Sequence, residues 1–108
     1  MLSEIAKRYF NLFCHANING LRECFSNDIT LRDWELDASG IESVIEKYSN
    51  IFSSLSNISV NIINLYEVEY NVIAELIIFA KEIEPIRVVD VLSFNKEKKI
   101  ISIRAYKG

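Results

Sequence analysis

One histidine, two cysteines and no block of basic residues are found in 108 residues, and each scarcity removes a kind of chemistry. No nucleophile motif accompanies the lone His15, so a serine hydrolase has no support. Its helical register also puts it off the apolar stripe, at the surface or a dimer edge, and not in the position of a general base. Cys14 and Cys24 lie ten residues apart with no CxxC pattern and no companion histidines, so neither a metal site nor a redox pair is expected. They read as reduced thiols of the core or its boundary. With a net charge of −3 and aromatics that are not interleaved with Arg or Lys, the chain has no footprint for nucleic acid, and its mild acidity argues against anionic membranes. The longest apolar run, VIAELIIFA at 72–80, is broken by Glu75 and is about half of the roughly 20 residues that a bilayer requires. MLSEIAKRYF mixes charge into its apolar pattern from the fourth residue, so no secretory leader is predicted and a cytoplasmic location is the expectation. Repeats, linkers and low-complexity tracts are also missing.

What is present is a globular composition, half apolar and a quarter charged, in a length that allows one domain over residues 1–108. From Leu2 to about Ala16, Leu2, Ile5, Tyr9, Leu12, Phe13 and Ala16 recur at spacings of three and four, which predicts an amphipathic helix. A short helix over about 18–25 follows, with Asn19 as its expected cap. DITLRDWEL predicts a strand in which Ile29, Leu31 and Asp33 share a face. Ser39, Gly40 and Glu42 suggest a capping box for a helix ending near Ser54, with Tyr48 counted among its apolar stripe. Four β-rich runs, about 57–66, 72–82, 86–94 and 100–106, are joined by short polar turns and are therefore antiparallel neighbours. The class is α+β, with helices on one face of a bent sheet. Because VIAELIIFA and RVVDVLSF are apolar on both faces, the open face wants a second cover, and a homodimer through that face is expected.

RVVDVLSFN, residues 87–95, poses the functional question. Alternation puts Asp90 on the face of Val88, Leu92 and Phe94, where a carboxylate must be hydrogen-bonded, must hold its proton or must line a cavity.

The words IAKRYFNLF, CFSNDITLRDW, SGIESVIEKY and VVDVLSFNKEKKIISIRAYKG, in that order, make the whole chain resemble the nuclear transport factor 2-like superfamily, which includes SnoaL-like polyketide cyclases and ketosteroid isomerases. The resemblance implies a cone-shaped fold of three helices on a curved, mainly antiparallel sheet. By likeness to the isomerases it gives Asp33 the role of a base, and Tyr9 and Asp90 the role of donors to an enolate oxygen. Trp34 and Phe94 are natural walls for such a cavity, and Phe13 is taken with them as substrate-binding. A proton would be taken from the carbon alpha to a carbonyl and returned to another carbon, on a small, largely apolar substrate and without a cofactor. The chain departs from the isomerase pattern where Trp34 and Glu35 follow Asp33 in place of proline.

Plain structural readings stand beside these. Tyr9 could be a core tyrosine with a tied hydroxyl, Trp34 plain core, and Asp33 a turn cap; an Asp33 that faces solvent or binds backbone amides is the arrangement under which the enzyme reading fails. Glu75 is read as an interface charge opposite Arg87 or Arg104; Asp37, Glu42 and Glu46 are read as solvated helix-end charges. The alternative function is a non-catalytic ligand-binding or dimerisation module of the same fold.

Overall fold

The computed structural model describes residues 1–108, Met1 to Gly108. Two helices come first, α1 at Leu2–Cys14 and α2 at Ile18–Cys24. The strands β1 (Phe25–Arg32) and β2 (Asp37–Ser39) follow, then α3 (Ile41–Ser54) and the meander β3 (Ser59–Val68), β4 (Asn71–Ala80), β5 (Ile83–Phe94) and β6 (Ile100–Lys107). The six strands form one sheet in the order β2-β1-β6-β5-β4-β3. All pairs are antiparallel except β1 with β6, so the chain makes one long crossover between its two halves. The expected α+β arrangement of three helices on a mainly antiparallel sheet is what the structure shows.

Local chemistry accounts for the turns. The β5–β6 link is held by Asn95, whose Oδ1 accepts from the amides of Glu97 and Lys99 at 3.0 and 2.9 Å, the side-chain-to-backbone pattern that makes Asn a turn former. The β3–β4 link needs only Glu69 and Tyr70, with Glu69 at φ 55°. At the β4–β5 link, Glu82 accepts from the backbone and hydroxyl of Ser56 at 2.7 and 2.6 Å, which ties the end of α3 to the hairpin. The hydroxyl bond is the main reason that the Glu82 carboxyl lies below its ordinary range.

Several boundaries differ from the sequence reading. The strand expected over DITLRDWEL begins earlier, at Phe25, and stops at Arg32, so Asp33 sits in the turn after it and not on the strand face of Ile29 and Leu31. A short strand, β2, takes Asp37, which is therefore not a helix-end charge. Asn17, not Asn19, caps α2, accepting from Gly20 N at 2.9 Å. The capping box of α3 does not form, because Glu42 is drawn to Arg22 across a two-pronged ion pair at 2.6 and 3.2 Å. α1 ends two residues before Ala16, which is exposed and turns the chain at φ 52°.

One sheet face carries the core. Val72, Ala74 and Leu76 of β4, Val88, Leu92 and Phe94 of β5, and Ile103 of β6 are buried with Leu21, Ile29, Val44 and Tyr48 beneath the helices. The other face shows two rows across the strands: Tyr66, Ile73, Val91 and Arg104, and Asn64, Glu75, Val89 and Tyr106. Glu75 is held there by Asn64 Nδ2 at 2.8 Å, and neither Arg87 nor Arg104 pairs with it inside the chain.

Gly40 stands where β2 passes into α3, with φ 87° and ψ 147°, while its amide donates to Ile29 O at 2.8 Å. That backbone region is nearly closed to residues with a Cβ, yet an added Cβ would meet nothing within 4 Å. Gly40→Ala is therefore expected to destabilise through backbone strain alone, by roughly 1–3 kcal/mol. Urea unfolding with an unchanged slope would measure it, and a loss near zero would contradict the strain.

Candidate functional site

Asp90 is placed by its neighbours in the sheet. Across the strands it is flanked by Ala74 of β4 and Ala105 of β6, the two smallest inward side chains of that row. Nothing bulky lies beside the carboxyl, and the space left over it is the floor of a cavity of about 510 Å³. Asp90 is 8 % exposed and is the one buried charged residue of the chain. No side-chain hydrogen bond in the protein engages it, so its oxygens are directed to the cavity. Burial in this apolar setting, reinforced by the charge of nearby Asp33, raises its pKa to about 7.

Tyr9 reaches the same cavity from α1, and Tyr48 reaches it from α3. Their hydroxyls are hydrogen-bonded to each other, and their rings meet edge to face with centroids 6.4 Å apart. Desolvation by burial raises both phenol pKa values, and the charge of Asp90 adds to both. In such a pair one hydroxyl proton is spent between the oxygens. When Tyr48 donates to Tyr9, the Tyr9 O–H is free to donate to an oxygen in the cavity, and in the reverse arrangement Tyr48 is the free donor.

Asp33 borders the cavity from the turn after β1. Its Oδ1 accepts from the amides of Glu35 and Leu36 at 2.7 and 2.6 Å, and its own amide donates to Leu36 O at 3.0 Å. One carboxylate oxygen thus holds the turn that starts β2, which is the backbone contact that the sequence reading set against a catalytic Asp33. The other makes no hydrogen bond within the protein and is free to accept a proton. Asp33 is close enough that its charge acts on both Asp90 and Tyr48.

Trp34 and Phe13 line the cavity. Trp34 is 41 % exposed, and Lys107 Nζ lies 5.9 Å from the centre of its ring. Phe13 packs edge to face on Tyr48 at 6.0 Å and against Phe52 at 5.5 Å. Phe94, the third expected wall, lines no part of the cavity. It shares the inward face of Asp90 but is 3 % exposed, and it packs in the core at the far end of β5. His15 is exposed, with Nδ1 against Asn11 O at 2.8 Å.

The sequence reading missed Tyr48. It appeared there as one apolar position of a helix stripe, although a tyrosine on such a stripe brings a hydroxyl that burial obliges to find a partner. No group of three or more His, Cys, Asp or Glu residues is arranged to hold a metal ion.

No model of a known protein family matches the sequence. No curated protein matches it significantly either. Solved structures do. An NTF2-like protein of unknown function from Cytophaga hutchinsonii superposes with a TM-score of 0.84 at 11 % identity, over 100 % of this chain and 90 % of that one. A protein provisionally assigned as a SnoaL-like polyketide cyclase, from Jannaschia sp. CCS1, gives 0.86 at 15 % identity, over 98 % and 84 %. A hypothetical protein with a ketosteroid isomerase-like fold from Catenulispora acidiphila, in complex with trimethylamine, gives 0.83 at 21 % identity, over 95 % and 84 %. Identities this low speak for the fold and not for the activity, and the fold of this chain is the nuclear transport factor 2-like fold.

Proposed function

We propose that the cavity binds a small, largely apolar carbonyl compound and removes a proton from the carbon alpha to its carbonyl. Asp33 is the base through its free oxygen. The enolate oxygen is received by Asp90 in its protonated form and by whichever hydroxyl of the Tyr9–Tyr48 pair is free, and Asp33 returns the proton to another carbon. The observation that carries this reading is the convergence of Tyr9, Tyr48, Asp33 and a buried, unpartnered Asp90 on one apolar cavity. A base near the carbon with donors near the oxygen is what enolisation requires, and a carboxyl kept neutral by an apolar site is the device known from ketosteroid isomerase. None of these steps calls on a cofactor.

A second reading, a ligand-binding module without turnover, is favoured by one observation: Asp33 already serves the backbone of its own turn through Oδ1. For the sheet face that no helix covers, we propose a second copy of the chain as the occupant. That face combines apolar Ile73, Val89, Val91 and Tyr106 with charges of both signs, Glu75 against Arg87 and Arg104, so a two-fold partner can match it.

A planar phenol, 2-naphthol, serves as the enolate mimic. Wild type is expected to bind it, and Asp90→Ala to weaken binding by about 10- to 100-fold, the worth of a hydrogen bond in a desolvated site. A β,γ-unsaturated ketone tests turnover, which Asp33→Asn should abolish. Absence of 2-naphthol binding removes the isomerase reading, whereas binding without turnover in wild type leaves the module.

The proton on Asp90 has a thermodynamic signature. Its folded pKa of about 7 stands above the 3.8 of an ordinary aspartate, so between about pH 4 and pH 7 the unfolded chain ionises while the folded one holds its proton. Stability contributed by that proton is whole below about pH 4 and is lost as pH rises through about 7. Relative to Asp90→Asn, wild type should lose on the order of 4 kcal/mol across that interval. Parallel urea-stability curves for the two proteins would show that Asp90 is ionised when folded.

For the open face, sedimentation equilibrium is expected to give a dimer for wild type and a monomer for Val91→Lys, with folding retained. A wild-type monomer at tens of micromolar would leave this face uncovered by its own kind.

A further inference from the structure

The cavity is chemically lopsided. Its floor and inner wall hold the carboxyl groups of Asp90 and Asp33. Its exposed rim is made by Trp34, Glu35, Asn50 and Ser54, together with two cations, Lys47 from α3 and Lys107 from the end of β6. Lys47 is half-buried and lies on the helix row of Ile51 and Ser54, which also face the cavity. Lys107 follows Ile103 and Ala105 on the inward side of β6, and its ammonium sits 5.9 Å from the centre of the Trp34 ring, which shares the rim.

Neither lysine is neutralised. The ion pairs of the chain engage Lys7, Arg8 and Arg22 with Glu4, Glu23 and Glu42, and none involves Lys47 or Lys107. Glu35 shares the rim without coming within ion-pair distance of either. With Glu35 counted, two lysines against one glutamate leave the rim with a small positive excess in a chain that has 15 acidic against 12 basic side chains. A ligand that entered with an anionic group would meet attraction at the mouth and repulsion from Asp33 within, so its anion would stay outside and its other end would be presented to Tyr9 and Asp90.

We propose that the ligand is a carbonyl compound with a carboxylate at the end opposite the carbonyl, received by Lys47 and Lys107. The inference rests on the enolisation site proposed above and adds the ligand's polarity and direction of entry.

The test compares 6-hydroxy-2-naphthoate, which carries a carboxylate across the ring system from its hydroxyl, with 2-naphthol, which does not. For wild type at about 20 mM salt, the naphthoate should bind about 5- to 10-fold more tightly, since two exposed charge pairs contribute modestly each. The ratio should shrink at about 500 mM salt, where such pairs are screened. In Lys47→Met/Lys107→Met it should fall close to one, and in Lys107→Glu below it, with folding checked by thermal melting. Equal affinities in wild type, or a preference that survives the double substitution, would overturn the proposal. If the naphthoate binds through the lysines while 2-naphthol binds regardless of Asp90, the anion site stands and the inner site falls. If neither ligand binds, both are overturned.

Discussion

Removing a carboxyl group from water is unfavourable, and removing it without giving it a partner is more so. Asp90 is brought close to that position, with only the cavity left to its oxygens, because of where β5 lies: between β4 and β6, with Ala74 and Ala105 beside it in register and the helices above. The strain is relieved by protonation, which burial and the neighbouring charge of Asp33 both favour. The dependence runs both ways. Large residues at 74 or 105 would fill the space into which the carboxyl opens, and a different register would turn it to the outer face, where Val89 and Val91 now stand. The pairing of β4, β5 and β6 therefore settles the chemical state of the site as well as the stability of the sheet.

The tyrosine pair extends this logic. Tyr9 and Tyr48 come from two different helices, α1 and α3, and each is buried enough that its hydroxyl must be satisfied. By bonding to each other they settle that requirement with one proton and leave one to offer. Which ring offers it is open to the ligand, so the pair adapts to an oxygen on either side without moving its backbone. Asp33 is tied differently. Two backbone amides hold Oδ1, and the same turn brings Trp34 and Leu36 to the cavity, so the Asp33 carboxylate is positioned by the structure that begins β2.

Much of the fold could be read from periodicity. The alternation through 87–95 placed Asp90 inward, and the three- and four-residue spacing of α1 placed Tyr9 inward, because burial leaves its mark on one-dimensional pattern. What pattern could not supply were choices between competing partners. Glu42 looks like a capping residue, but Arg22 is 20 positions away in sequence and close in space, and a two-pronged ion pair displaces the cap. Asp33 looks like the end of an alternating strand, but its short side chain captures two amides and stops the strand at Arg32. Phe94 obeys the same alternation as Asp90, yet distance along β5 carries it past the cavity into solid core. Tyr48 shows the converse failure: helical spacing marked it as apolar, and only the position of α1 shows that its hydroxyl has a partner.

A cavity inside so small a core has to be held open, since the surrounding chains gain contacts by collapsing into it. Here the props are aromatic. Phe13 spans from α1 to Tyr48 and Phe52 of α3, and Tyr9 meets Tyr48 and Phe25, with ring centroids between 5.5 and 6.4 Å apart. Rigid rings of this size keep the two helices from closing over the alanines of the sheet below. The far end of α3 is fastened separately, through Ser56 to Glu82 and Lys81 of the β4–β5 hairpin. Large side chains in the roof, small ones in the floor and a pinned helix end together account for an opening whose polar groups come from four different elements. The same construction leaves the lysines at the rim. Neither lysine comes within ion-pair distance of a carboxylate, so both keep their charge at the opening.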